Sequence, residues 1–220
     1  MDWHPLLLSF EIAAAATGVA TILGIALAML LTKRFPGRDL VDVLLTTPMV
    51  LPPTVLGYYV LVALGRRSSL GQAYEHLTGS SIVFTRFGAV IAASIGALPL
   101  VVKAARAALQ GVDPNLIKAA RTLGASPLRV FWTIRLPLAA PGVLAGVMLG
   151  FARALGDFGV TLMVAGDIPG ETQTASLAIY DAIQANREAD AVGMILVLSA
   201  FAIVVLYAVN KLTPPPHEER

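Results

Sequence analysis

The sequence predicts an all-α integral membrane protein with about five transmembrane helices. Hydrophobic residues make up 56% of the chain and charged residues only 14%, whereas a soluble domain carries roughly 25% charge. The mean hydropathy is +0.75. Apolar runs of the length that a helix needs to cross a bilayer recur along the chain. The absence of cysteine excludes a disulfide scaffold and a thiolate metal site.

The first apolar run, from Pro5 to Thr32, is long enough to span the bilayer. The residues before it, MDWH, lack the positive charges that begin a signal peptide, and basic residues follow the run instead. A stripe of small residues predicts close contact with another helix, although alanine is also simply common in helices. The stripe consists of Ala16, Ala20, Gly24 and Ala28.

The second run, from about Val41 to Leu64, is interrupted by Pro48, Pro52 and Pro53. A proline at membrane depth leaves backbone groups unpaired, which is tolerated only against protein or a water-filled cavity. We therefore expect a kinked or broken segment at Leu51–Thr54. It either lies beside a water-filled path or serves as a purely structural kink.

Three further spans are predicted. The third, about Phe87 to Arg106, is expected to bend between Gly96 and Pro99. The fourth, about Leu138 to Leu155, carries a ladder of small residues that predicts close packing on a neighbouring span or a dimer mate. The fifth covers about Ala191 to Leu212, and the tail 213–220 is predicted to be disordered. The ladder consists of Gly142, Gly146, Gly150 and Ala154.

Two polar segments, 65–85 and 167–190, are predicted to lie outside the membrane. The first is rich in turn residues. The second has scattered apolar positions and is typical of an interfacial external loop.

The segment 111–137, between the third and fourth spans, is predicted to form two short helices. Asp113-Pro114 and Ser126-Pro127 each place a capping side chain before a proline at the first helical position. Gly124 supplies a left-handed stop between them, and Pro137 is expected to end the unit. A small apolar face edged by charge, typical of a surface that docks a soluble partner, is formed by Leu116, Ala119, Ala120 and Leu123.

This segment resembles the EAA loop of ABC-importer permeases through Ala119-Ala120, Gly124 and the motif Ile134-x-Leu136-Pro137. The family's acidic first position is Lys118 here. Nearly the whole chain is similar to molybdate-transport permeases, with sulfate permeases as near relatives. The matching segments are LPPTVLGYY from Leu51, GVDPNLIKAARTLGAS from Gly111, RALGDFGVTLM from Arg153 and IPGETQTASLAIY from Ile168.

The resemblance implies one transmembrane permease domain, 1–220, with the type I ABC-importer fold. It implies a homodimer in the inner cell membrane, with two cytoplasmic ATP-binding subunits, an external oxyanion-binding protein and no nucleic acid. The permease would be no enzyme and need no cofactor, because a separate subunit hydrolyses ATP. The expected ATPase-coupling loop, within 111–137, comprises Asn115, Leu116, Lys118, Ala119, Ala120, Arg121, Leu123, Gly124 and Ala125.

The implied substrate is an oxyanion, molybdate, with sulfate and tungstate as alternatives. Apart from Lys103, Arg106 and Lys211 at the span ends, Arg153 is the only basic residue placed within a predicted span, and an arginine there is costly enough to suggest a function. The alternative is a structural pair with Asp157 one turn on, with Arg153 reaching to water. The candidate translocation path comprises Pro52, Pro53, Thr54, Arg153 and Asp157.

Two other classes of protein fit the composition. An ion-coupled secondary transporter usually needs paired broken repeats and intramembrane carboxylates, but only Glu11 and Asp157 lie near membrane edges. A membrane enzyme such as a phospholipid transferase would show an acidic cluster, and the sequence has none. It also lacks the phosphate-loop, zinc-helix and nucleophile-elbow motifs. The three histidines are too scattered to predict a metal site: His4, His76 and His217.

The distribution of basic residues predicts the orientation. With the N-terminus outside and the C-terminus cytoplasmic, four lysines and arginines fall outside and eleven inside, as the positive-inside rule requires. The outer four are Arg66, Arg67, Arg86 and Arg187. The inner eleven are Lys33, Arg34, Arg38, Lys103, Arg106, Lys118, Arg121, Arg129, Arg135, Lys211 and Arg220.

This orientation predicts the accessibility of introduced cysteines. A cysteine at Ser69 should react with a membrane-impermeant maleimide in intact cells, and one at Ser126 only after permeabilisation. The parent chain has no thiol and serves as the unlabelled control. Labelling of position 126 in intact cells would reverse the topology and place the segment 111–137 outside.

Overall fold

The computed structural model describes residues 2–33 and 35–212, and within these ranges the regular structure is entirely helical. The predicted disordered tail, 213–220, lies outside the described residues. The helices are α1 (His4–Leu31), α2 (Arg38–Val50), α3 (Pro53–Leu64), α4 (Ser69–Thr78), α5 (Arg86–Gln110), α6 (Pro114–Thr122), α7 (Pro127–Val130), a π-helical turn (Phe131–Arg135), α8 (Leu136–Leu155), α9 (Gly159–Ala165), α10 (Ala175–Gln184) and α11 (Glu188–Leu212).

Four helical stretches in the described chain are long and apolar enough to cross a membrane. They are α1, α5, α11 and the continuous stretch Pro127–Leu155, which contains α7, the π-helical turn and α8. Helices α2 and α3 form a fifth apolar unit, bent by 117°, as a broken span or a re-entrant loop. The break follows Leu51, where Pro52 and Pro53 lack the N–H groups that would continue α2.

Helix α5 lies at the centre of the fold and packs against both α1 and α8, which also contact each other. Small residues allow this close approach. A Cβ atom built on Gly24 of α1 would lie 2.7 Å from Val101 Cγ1, and one on Gly150 of α8 would lie 2.9 Å from Val101 Cγ2. The predicted stripe on α1 and the ladder on α8 therefore both pack against the same helix.

Helix α5 remains one helix through the predicted bend, with Gly96 and Pro99 inside it. Both residues are buried. The expectation that Pro137 ends the preceding unit was wrong, because the helix runs on into α8. In the π-helical turn, the Leu136 N–H bonds to the Phe131 carbonyl, five residues back. Pro137 then falls in the first turn of α8, where a missing N–H costs little.

The two segments predicted to lie outside the membrane both contain a helix. Ser68 caps α4 by accepting a hydrogen bond from the Gly71 N–H at 2.8 Å. Helix α10 buries one face against α1 and α11. The short helix α9 has no counterpart among the predicted elements, because seven residues are too few for a helical period to stand out.

The close contact between α5 and α8 predicts that Gly146 cannot carry a side chain. A Cβ atom at this position would collide with the Ala104 Cβ, and overpacking of this kind costs about 1–3 kcal/mol. Gly146→Ala should therefore lower the thermal unfolding midpoint of the purified protein in detergent. Gly18→Ala is the matched control, because no atom lies within 4 Å of a Cβ built on Gly18. Equal midpoints for the two variants would contradict the packing.

Candidate coupling and translocation sites

Local hydrogen bonds define α6 and the helix that follows it. The Asp113 carboxylate accepts a hydrogen bond from the Asn115 N–H at 2.8 Å, and the Ser126 hydroxyl accepts one from the Arg129 N–H at 3.3 Å. Gly124 has a φ of 84°, in the left-handed region where glycine carries no steric cost. The caps and the stop that the sequence predicts are therefore confirmed.

The predicted coupling residues form an uncovered surface. Helix α6 has no buried residue. Of the nine predicted residues only Ala120 and Ala125 are even half-buried, whereas Leu123 is 88% exposed. On a segment between two membrane spans, an open apolar patch is a candidate surface for a protein partner or for the membrane. The predicted face of α6 lines an open groove of about 480 Å³ together with Thr133, Ile134, Pro137 and Leu138.

A buried cluster ties this surface to the spans. Val112, just before α6, and Phe131, in the π-helical turn, pack with Leu109 of α5 and with residues of α1 and α8. Arg135 adds a hydrogen bond from its Nε to the Leu109 carbonyl at 3.1 Å. The segment that carries α6 is therefore fixed to the ends of three membrane helices.

At the far end of α8, Arg153 and Asp157 form an ion pair with 2.8 Å between Arg153 Nη1 and Asp157 Oδ1. Asp157 is 2% exposed. Its other oxygen, Oδ2, accepts hydrogen bonds from the Thr161 N–H at 3.0 Å and the Thr161 hydroxyl at 2.7 Å. A buried carboxylate needs such partners because desolvation is costly. Asp157 thereby joins the end of α8 to the start of α9.

Arg153 also faces a cavity of about 230 Å³ at the break between α2 and α3. It is the only charged residue among the described lining residues, and its side chain is 35% exposed. The guanidinium lies over Gly96 of α5, where a Cβ atom would come into van der Waals contact with Arg153 Nη2 at 3.4 Å. The other lining residues are Pro48, Met49, Leu51, Pro53, Leu56, Leu100 and Val160.

The structure brings together three of the five predicted path residues. Pro53 and Arg153 line the cavity, and Asp157 lies behind Arg153. Pro52 and Thr54 are exposed and do not line it.

Sequence reasoning missed Gly96 and Thr161 as partners of this site. Thr161 lies four residues after Asp157, a spacing at which an acidic side chain can bond to a backbone N–H at a helix start. Within the described chain, no group of three or more His, Asp or Glu side chains is placed to hold a metal ion.

The fold matches solved ABC-importer structures. The methionine importer MetNI in an inward-facing conformation superposes with a TM-score of 0.69 at 15% identity, covering 96% of this chain and 95% of that one. A bacterial alginate importer superposes with a TM-score of 0.67 at 14% identity, covering 94% of this chain and 78% of that one. The fold is therefore that of a type I ABC-importer permease.

The chain belongs to the family of binding-protein-dependent transport system inner membrane components, whose family model matches residues 20–214. It is a multi-pass membrane protein. It is 44% identical to the molybdenum transport system permease protein ModB of Escherichia coli K12, over 93% of this chain and 90% of the relative. The chain is 46% identical to ModB of Haemophilus influenzae, over 84% of this chain and 81% of the relative. The sulfate transport system permease protein CysT of Salmonella typhimurium is 32% identical, over 93% of this chain and 75% of the relative.

Arg153 contacts the cavity on one side and Asp157 on the other. Substitutions of the two residues of the ion pair should therefore have different effects. Arg153→Gln should lower uptake about tenfold or more at normal abundance, since a hydrogen bond to a charged group is worth ~1.5–3 kcal/mol. Asp157 keeps its two bonds from Thr161 in this variant. Asp157→Asn should lower abundance instead, because the single carbonyl oxygen of asparagine cannot accept from both Arg153 and Thr161.

The measurement is uptake per permease molecule, quantified in membranes, with Arg153→Lys as the control that keeps the charge. Normal uptake by a well-expressed Arg153→Gln protein would eliminate a role for Arg153 on the anion path. A parallel fall in its abundance and uptake would assign the pair a structural role only.

Proposed function

We propose that this chain is the permease subunit of an ATP-driven importer of molybdate. The observation that carries the proposal is the uncovered apolar face of α6, held on a permease fold between two membrane spans. Secondary transport and enzyme chemistry give no reason for such a face. The described residues contain no acidic cluster that would serve a phosphotransferase.

Molybdate is the substrate that the relatives favour. Proteins named as molybdenum permeases reach 46% identity, whereas the sulfate permease reaches 32%. Sulfate and tungstate share the tetrahedral dianionic shape, so they are the competitors that a test must include. Selection among them rests largely with the external binding protein that first captures the anion.

The assembly that we propose contains two copies of this chain, two cytoplasmic ATP-binding subunits and one external binding protein. Residues 1–220 form one permease domain, and the segment 111–137 faces the cytoplasm. The family and the solved importers support this arrangement. ATP hydrolysis resides in the separate subunit, because the permease sequence has no phosphate-binding loop.

Coupling follows from how α6 is held. Each ATP-binding subunit seats the face formed by Leu116, Ala119, Ala120 and Leu123. When the two subunits close around ATP, they draw the two α6 helices together. The cluster around Leu109, Val112 and Phe131 transmits this movement to α1, α5 and α8. Such coupling needs only one rigid element that changes position between two states of the transporter, with the ATP-binding subunits open or closed.

The anion path runs past the cavity at the α2–α3 break. Arg153 offers a guanidinium to a dianion there, while Asp157 pairs with it from behind and is itself held by Thr161. Pro53 packs against α9, since a Cβ on Gly159 would lie 2.7 Å from the Pro53 Cβ. A shift of α3 against α9 would therefore change the cavity wall and open or close the path.

The proposed function is tested by uptake in a strain that lacks this permease. Expression of the chain should restore accumulation of radiolabelled molybdate, and excess unlabelled sulfate should compete poorly. Restoration of sulfate uptake without molybdate uptake would reassign the substrate. Failure to restore either anion, with the protein present in the membrane, would contradict an oxyanion importer.

Substitution within the α6 groove predicts loss of coupling. Ala120→Asp places a charge in an interface built for small apolar groups, which costs several kcal/mol. The variant should insert normally but lose ATP-dependent uptake and co-purification with the ATPase. Gly124→Val should act similarly, because a β-branched residue disfavours the φ of 84°.

Thr122→Asp is the matched control, since Thr122 lies on α6 but does not line the groove. It introduces the same charge and should leave uptake nearly normal. Co-purification of the Ala120→Asp protein with a fully coupled ATPase would contradict the proposal that this face of α6 binds the ATP-binding subunit.

A further inference from the structure

A second cavity lies beside the coupling segment, on a different face of α6 from the groove. It has a volume of about 480 Å³. Ile117 and Arg121, one turn apart on α6, line it, whereas the groove is lined by Leu116, Ala119, Ala120 and Leu123. Its other walls come from the end of α1, from α7 and from the π-helical turn. The cavity therefore joins the first span to the coupling segment.

Three cations line this cavity: Lys33, Arg121 and Arg135. No acidic residue is among the described lining residues, and none of the three cations belongs to an ion pair within the described chain. Arg106 offers a contrast, because Asp42 neutralises it at 2.9 Å. Like charges that share a cavity without a counterion favour an anionic occupant.

Arg135 is held in place at the cavity wall with N–H groups left for an occupant. Its Nε donates to the Leu109 carbonyl at 3.1 Å, which holds the half-buried guanidinium at the cavity wall. No other hydrogen bond to a described residue uses the guanidinium, so its remaining N–H groups are available. Lys33 and Arg121 are exposed and add charge at the rim.

The rest of the lining is apolar and lies where a span meets the aqueous phase. Met29 belongs to the last turns of α1, which ends at Leu31, directly before Lys33. Phe131 begins the π-helical turn that leads into α8. A cavity with an apolar wall at the end of a span and cations beside it matches a phospholipid, whose phosphate and acyl chains join at this level.

We propose that this cavity binds an anionic phospholipid. Lys33, Arg121 and Arg135 hold the headgroup phosphate, and Met29, Ile117 and Phe131 contact the start of the acyl chains. The bound lipid bridges the end of α1 and α6, so the composition of the membrane acts on the coupling segment. A free phosphate or another small anion shares the charge chemistry but gains nothing from the apolar wall.

The test measures lipid retention by the full-length protein with native mass spectrometry. The protein is purified in a mild detergent and exposed to phosphatidylglycerol or phosphatidylcholine of matched chain length. The wild type should retain phosphatidylglycerol preferentially. The double variant Lys33→Gln/Arg121→Gln should retain it about tenfold or more weakly, since each cation that faces the bound headgroup contributes on the order of fivefold in affinity for anionic lipid.

Arg129→Gln is the control, because Arg129 is an exposed cation in the same segment that does not line the cavity. It removes one charge and should retain phosphatidylglycerol like the wild type. The double variant leaves Arg135 and its bond to Leu109 intact, so we expect the fold to be preserved. An unchanged thermal unfolding midpoint of the double variant would verify this.

Further outcomes would overturn the proposal. They are equal retention of the two lipids, wild-type retention by the double variant, and a loss in Arg129→Gln that matches the loss in the double variant. Millimolar inorganic phosphate provides a separate arm. If phosphate binds the delipidated protein and fully displaces phosphatidylglycerol, the cavity is a small-anion site rather than a lipid site.

Discussion

The structure depends on the close approach of α5 to two other helices. Lipid tails are as apolar as leucine, so membrane helices gain little from hydrophobic burial and associate through tight contact instead. Val101 of α5 fits against Gly24 of α1 and Gly150 of α8, and neither glycine has room for a side chain. The position of α5 is thereby fixed from two sides. Both candidate sites border this helix.

The two sites occupy different levels of α5. Gly96 lies beside the Arg153 guanidinium, whereas Leu109 packs with Val112 and Phe131 beside α6. At a rise of 1.5 Å per residue, these levels are about 20 Å apart along the helix. A movement imposed at α6 can reach the cavity because a buried helix transmits displacement with little loss. The α2–α3 break and the short α9 contribute to the wall of that cavity, through Leu51 and Pro53 at the break and Val160 on α9.

Much of the fold could be predicted because its signals are local. The cap of α6 by Asp113, the left-handed Gly124 and the proline break near Leu51 depend on chemistry within a few residues. What could not be predicted depends on contacts that the sequence does not display. Pro137 continues a helix because a π-helical turn precedes it. Gly96 belongs to the Arg153 site only because α5 and α8 cross there, and nothing local to either residue indicates the pairing.

The central claim is that ATP hydrolysed by a separate subunit drives an oxyanion through this chain. Reconstitution into proteoliposomes, with the ATP-binding subunit and the external binding protein, tests it directly. Molybdate is added on the side of the binding protein, and ATP on the side of α6. We expect molybdate to accumulate only with hydrolysable ATP. This accumulation should persist when ionophores collapse the ion gradients. Accumulation without ATP that an ionophore abolishes would contradict it and establish secondary transport.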